Sequence, residues 1–297
     1  MQSPAAAVGV SLRNILLPID FSPCSETALA YAAGLAHHYG ATLYTVTVVA
    51  QEITDYVQPP DPFYLRHSAE KKMAAVANLE LLRGIRHREF VKEGIVPETL
   101  SDLIDRLEAD LVVLGTHGRS GMKKFMLGSV AEEVVGTAPC PVLTLGPRVS
   151  RLTALQPNLQ RILYVTNLLH TSGRALAFAE WLAEQEHAHL TLFHVIRAHA
   201  EDRSGYPQSE VEAAKKRLAQ LLPPETTEAA SALDTECIVE VGLPGEQILK
   251  AAEKQGADLI VMGPHHTSFS RFSTHLPWIT PHEVIRDAQC PVLTVGA

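Results

Sequence analysis

Three stretches of this sequence occur twice, and the repeat constrains the fold more than any other feature of the chain. Ala109-Asp110-Leu111-Val112-Val113-Leu114-Gly115 returns as Ala257-Asp258-Leu259-Ile260-Val261-Met262-Gly263, an offset of 148. Cys140-Pro141-Val142-Leu143-Thr144-Leu145-Gly146 returns as Cys290-Pro291-Val292-Leu293-Thr294-Val295-Gly296, an offset of 150. At the front, Ile15-Leu16-Leu17-Pro18-Ile19-Asp20 aligns with Ile162-Leu163-Tyr164-Val165-Thr166-Asn167 at an offset of 147. Such a period is domain-sized. Two copies of one domain are expected, residues 1–148 and 160–297, joined by a polar, proline-bearing linker over residues 149–159.

Within the first copy, short runs rich in Val, Ile and Leu alternate with helical patterns. Strands are expected near Asn14–Ile19, Thr42–Val49, Arg86–Val91, Leu111–Gly115 and Val142–Leu145. Between them, Ser25–His38 carries apolar residues at a helical spacing, with Ser22 or Ser25 as N-cap. Ser68–Leu82, Glu98–Glu108 and Ser129–Thr137 continue the alternation. Strands that read as continuous apolar runs are buried on both faces, which requires a parallel sheet clothed by helices. The fold class expected is α/β, a doubly wound domain present twice.

With 46% hydrophobic and 20% charged residues over 297 positions, the chain is globular and forms a core without disulfides or a structural metal. Its net charge is −8, with 13 basic against 16 acidic residues through Arg148 and 12 against 17 beyond it. Two acidic halves argue against nucleic acid or an anionic membrane as partner. No apolar run approaches the ~18 residues of a membrane span, and Met1–Val10 lacks the positive start of a secretory signal. A cytoplasmic protein is expected. Cys24, Cys140, Cys237 and Cys290 form no CxxC pair and read as small buried hydrophobes.

In an open parallel sheet a ligand lies beyond the carboxyl ends of the strands, where the strand order reverses. There the first strand finishes Pro18-Ile19-Asp20-Phe21-Ser22, and the fourth runs into Gly115-Thr116-His117-Gly118-Arg119-Ser120-Gly121 and on to Gly128-Ser129 before a helix. Glycines allow the backbone to approach an anion, and the free N–H groups of a helix start attract negative oxygen. Asp20 would accept from a ribose hydroxyl or an adenine amino group, although alone it also reads as an N-cap.

Gly115-x-x-Gly118, nine residues, then Gly128-Ser129 resembles the Gly-x-x-Gly-x(9)-Gly-Ser/Thr pattern of ATP-binding universal stress proteins. The Pro18-x-Asp20-x-Ser22 opening and the Cys140-Pro141-Val142 ending look like the same family, so the chain resembles a tandem pair of its Rossmann-like or flavodoxin-like domains. The resemblance implies that Asp20, beside Pro18 and Ile19, contacts the nucleoside and that Val48 or Val49 lines the adenine pocket. Gly115, Gly118, Gly128 and Ser129 would hold the phosphates, Val130 would donate its N–H, and Leu114, His117 and Arg119 complete the set. Arg119, Lys123 and Lys124 also read as solvated loop charges. Mg²⁺ would bridge the phosphates in a slow ATPase. In this family single domains dimerise through the last strand, which implies a pseudo-dimer of the two copies through Val142–Leu145 and Val292–Val295, and a homodimer beyond it.

The second copy departs from the pattern. Asn167 replaces Asp20, Val165 replaces Pro18, His266 stands where Gly118 stood, and Leu276-Pro277 is expected at the position of Gly128-Ser129. One phosphate site, in the first copy, is the expectation. His265-His266 with His275 and His282 raises the idea of a metal, against which stands the geometry of adjacent histidines and the absence of an evident supporting partner. His37-His38 suits a helix end. Asp55–Tyr64, aromatic and proline-rich, reads as a long loop, a candidate lid. With no Gly-x-x-x-x-Gly-Lys-Ser/Thr loop and no carboxylate-plus-lysine constellation, an ATP-binding stress-response regulator is expected rather than an enzyme. A slow ATPase and a nucleotide-free scaffold are the alternatives.

Overall fold

The computed structural model describes residues 10–50, 62–116, 127–150, 157–168, 173–197, 207–222, 233–263 and 279–296. The chain divides at Pro157/Asn158 into two compact units, and among the described residues each contributes five strands.

In the first unit the strands are β1 (Asn14–Pro18), β2 (Thr42–Ala50), β3 (Arg86–Gly94), β4 (Leu111–Gly115) and β5 (Val142–Leu145). They lie in the order β3-β2-β1-β4-β5, every pairing parallel. Ile15, Leu16, Leu17, Val112 and Val113 are fully buried, as central strands covered on both faces require.

Four helices connect them: α1 (Pro23–Tyr39), α2 (Pro62–Ala77), α3 (Val96–Arg106) and α4 (Ser129–Thr137). Ser22 caps α1 by accepting from the Ser25 N–H, and Gly40, left-handed at φ 64°, ends it. The small residues Ala28, Ala32 and Ala36 are buried and let α1 lie against β1 and β4. The carboxyl ends of β1, β2 and β4 therefore emerge together beside the start of α1.

One element differs from expectation. The helix expected over Ser68–Leu82 starts at Pro62 and stops at Ala77, followed by a separate 3₁₀ turn at Glu80–Leu82. Proline is compatible with a helix start. At the other end the Asn78 side chain donates to the Ala74 carbonyl at 2.7 Å, competing for the acceptor that the helical ladder would use. Pro62–Tyr64 thus belong to a helix rather than to the expected loop. The rest of that stretch, and any lid, lies outside the described residues.

The second unit repeats the design. Strands β6 (Arg161–Val165), β7 (His189–Arg197), β8 (Thr235–Gly242), β9 (Leu259–Met262) and β10 (Val292–Thr294) take the parallel order β10-β9-β6-β7-β8. Among the described residues its helices are α5 (Gly173–Glu186), α6 (Gln208–Ala219), α7 (Pro244–Gln255) and α8 (Ile279–Asp287).

The repeated Ala-Asp-Leu has a structural reason. Asp110 accepts from the Arg13 and Asn14 N–H groups at 2.8 and 2.9 Å, clasping the entry of β1, and Asp258 does the same for Gln160 and Arg161, both at 2.9 Å. Phe21 and Leu168, equivalent residues after β1 and β6, both adopt left-handed backbone at φ 63° and 61°. All four cysteines are free. Cys140 and Cys290 are buried as expected, whereas Cys24 and Cys237 are half-buried. Burial, with Asp258 nearby, pushes the Cys290 thiol up to about 12, so it stays protonated.

Candidate functional site

Strand order reverses between β1 and β4, and a crevice must open beyond their carboxyl ends. A cavity of about 340 Å³ lies there. Its lining comes from Pro18, Ile19 and Asp20 after β1, Val46, Thr47 and Val48 of β2, Leu114, Gly115 and Thr116 of β4, and Gly128, Ser129, Val130 and Ala131 at the start of α4. Ser25 of α1 and Val96 of α3 complete it.

The Asp20 carboxylate in this lining is held by accepting from the Ser22 N–H at 3.0 Å. The N-cap role that Asp20 alone allowed belongs to Ser22. Helix α4, whose first residues also line the cavity, has Gly128 as N-cap with no side-chain cap. The Gly128 N–H donates to the Thr116 carbonyl at 2.9 Å and so is committed, while the Gly128 carbonyl accepts from Glu132. The N–H groups of Ser129, Val130 and Ala131, with the Ser129 hydroxyl, form the donor set at the positive end of the helix dipole. A side chain at Gly128 would bring its Cβ to 3.2 Å from the Thr116 carbonyl oxygen, so glycine allows this tight clasp.

Gly115 has a different reason for being glycine. A Cβ there would stand 2.7 Å from the Cys24 carbonyl carbon and 2.9 Å from the Ser25 nitrogen. The missing side chain makes room for the first turn of α1, a packing role that its place in a phosphate motif had not disclosed.

Nine of the residues expected from sequence thus gather around one cavity: Pro18, Ile19, Asp20, Val48, Leu114, Gly115, Gly128, Ser129 and Val130. Val49 is not among the lining residues, which on β2 are Val46, Thr47 and Val48. His117, Gly118 and Arg119 lie outside the described residues, as do Lys123 and Lys124. The sequence reading missed Ser25, Val46, Thr47, Val96, Thr116 and Ala131. Ala131 was accessible to it as the third N–H of a helix start, and Val46 as the same-face neighbour of Val48; Val96 carries no such signal.

The second unit keeps the framework and alters the lining. The Thr166 N–H donates to the Phe193 carbonyl at 3.0 Å just as the Ile19 N–H does to Val46 at 2.8 Å, which equates Ile19 with Thr166, Asp20 with Asn167 and Thr47 with His194. Helix α4 starts at Ser129 and α8 at Ile279, the same offset of 150 as the Cys-Pro-Val landmark. The counterparts of Gly128-Ser129 are therefore Trp278-Ile279, not Leu276-Pro277. Pro281 then replaces Ala131 and removes one of the three N–H donors. Among the described residues no group of three His, Cys, Asp or Glu side chains is placed to hold a metal ion. His265, His266 and His275 lie outside them.

The sequence profile of the Universal stress protein family matches residues 11–145 and again 158–296. A universal stress protein of Methanocaldococcus jannaschii is 28% identical over 140 residues, 45% of this chain and 81% of that protein. A universal stress protein A homologue of Coxiella burnetii is 32% identical over 139 residues, 45% of this chain and 95% of its own. The crystal structure of a universal stress protein from Archaeoglobus fulgidus shares the fold with a TM-score of 0.70 at 20% identity, covering 95% of this chain and 98% of that one. Among the described residues no helix is long and apolar enough to cross a membrane.

Proposed function

Because this chain belongs to the universal stress protein family, with both halves matched, we propose that its first unit binds ATP and that the protein acts as a cytoplasmic stress-response regulator. One observation carries the reading: a cavity at the reversal point of the strand order whose lining holds both a carboxylate, Asp20, and an uncapped helix start. A nucleoside triphosphate has the matching polarity. Its sugar and base offer hydroxyl and amino donors to Asp20, and its phosphates accept from Ser129, Val130 and Ala131. Val46 and Val48 offer an apolar wall for a base. The lining contains one carboxylate, Asp20. Mg²⁺ would accordingly arrive on the phosphates and be held by their oxygens.

Denaturing the purified protein and identifying the released nucleotide tests this directly. ATP is the expected result; ADP would favour the slow ATPase, and no nucleotide the scaffold. A universal stress protein has been solved in complex with cAMP. Competition between ATP and cAMP therefore belongs in the same titration, with ATP expected to displace cAMP. Gly118→His, the change carried by the second copy, should weaken ATP at least about tenfold, or roughly 1.4 kcal/mol. An unchanged affinity would remove the phosphate-loop assignment.

A further inference from the structure

Two side chains of the second unit, His194 and Arg217, hold the turn after β6, the counterpart of the turn that carries Asp20 in the first unit. His194, on β7, occupies the position of the cavity-lining Thr47, and its Nδ1 lies 2.8 Å from the Thr166 carbonyl oxygen. A carbonyl only accepts, so Nδ1 carries the proton and a neutral ring presents the lone pair of Nε2. Burial, the largest influence, lowers the pKa of His194; its bond to Thr166 opposes this and the charge of Arg217 adds to the lowering. The imidazole is thus an acceptor looking for a donor.

Arg217, exposed on α6, donates Nη2 to the Leu168 carbonyl at 3.2 Å. Thr166 and Leu168 flank Asn167, so the imidazole and the guanidinium hang from one turn at the carboxyl end of β6. Among the described residues neither group has a further hydrogen-bond partner. A cation at Nε2 would face the charge of Arg217, which leaves an O–H donor on an anionic molecule as the complementary chemistry. Replacing Asp20 by Asn167 removes the carboxylate that would repel such a molecule. With Pro281 in place of Ala131, the helix start offers fewer donors for a chain of phosphates.

We propose that the crevice at the carboxyl ends of β6 and β7 binds a small hydroxylated anion, a sugar monophosphate or a hydroxy acid. Its anionic group pairs with Arg217, and its hydroxyl donates to Nε2 of His194. This site is independent of the ATP reading for the first unit.

The test uses the full chain with isotope-labelled histidine, following the His194 imidazole by NMR while D-ribose 5-phosphate or citrate is added. Expected is a saturable shift with one of the two, at a dissociation constant of roughly 1 mM or below, weakened at least about tenfold in Arg217→Gln. Which probe binds distinguishes the sugar phosphate from the hydroxy acid. His194→Thr, which installs the residue of the first unit, should abolish that binding in calorimetry and leave circular dichroism and ATP binding unchanged. The proposal fails if neither probe moves His194 up to roughly 10 mM. It fails equally if Arg217→Gln binds as well as wild type, or if inorganic phosphate alone binds as tightly as ribose 5-phosphate.

Discussion

Glu180 is the residue whose environment contradicts its chemistry most. It sits on α5 at 3% exposure among alanines and leucines that pack on the sheet, and burial, with Glu184 adding a like charge, pushes its carboxyl up to about 7 from 4.5. Between those two values the folded state keeps a proton that the unfolded chain has lost. Stability therefore falls as pH rises from about 4.5 to 7, by up to roughly 3 kcal/mol, and stays low above. Glu180→Gln should unfold at higher denaturant concentration than wild type at pH 8 and at a similar one at pH 4, as measured by urea titration. Gly115 gives a second test at this scale. Since a Cβ there meets main-chain atoms of Cys24 and Ser25, Gly115→Ala must shift α1, and a loss of about 1–3 kcal/mol is expected in the same assay, with or without nucleotide.

Among the elements, α4 carries the ligand argument because its first turn is short of partners. Ala131→Pro copies the second unit, removes one N–H, and leaves the helix start intact, since proline is tolerated within the first turn. Calorimetry should show ATP weakened by about 1.5–3 kcal/mol, roughly tenfold or more, the worth of one charge-assisted bond. The strands β1, β4 and β5 were legible in sequence because apolar runs buried on both faces leave no other reading, and so was the Asp20-to-Ser129 outline of the site. Less legible was α2, whose ends depend on a proline and on one asparagine side chain. Thr47 and Val96 escaped because they reach the cavity through strand register and topology rather than through any motif. The counterpart of Ser129 lies two positions beyond the expected one because the offset lengthens from 148 at Gly263 to 150 at Cys290, and helix α8 already keeps the longer offset.

For the whole molecule the expected stoichiometry is one ATP per chain. Equilibrium dialysis should give a single site, and Asp20→Ala combined with Gly118→His should abolish it while the second unit stays folded; two ATP per chain would defeat the one-site reading. The two copies also let the molecule serve as its own control. Phe21 and Leu168 share a left-handed conformation that costs an ordinary residue about 1–2 kcal/mol. Had only Phe21 shown it, the tension would be attributed to nucleotide capture. Leu168 holds it too, in the copy that has lost Asp20, the Gly-Ser pair and one backbone donor, so the contortion is an inheritance of the strand-to-helix corner and owes nothing to the nucleotide.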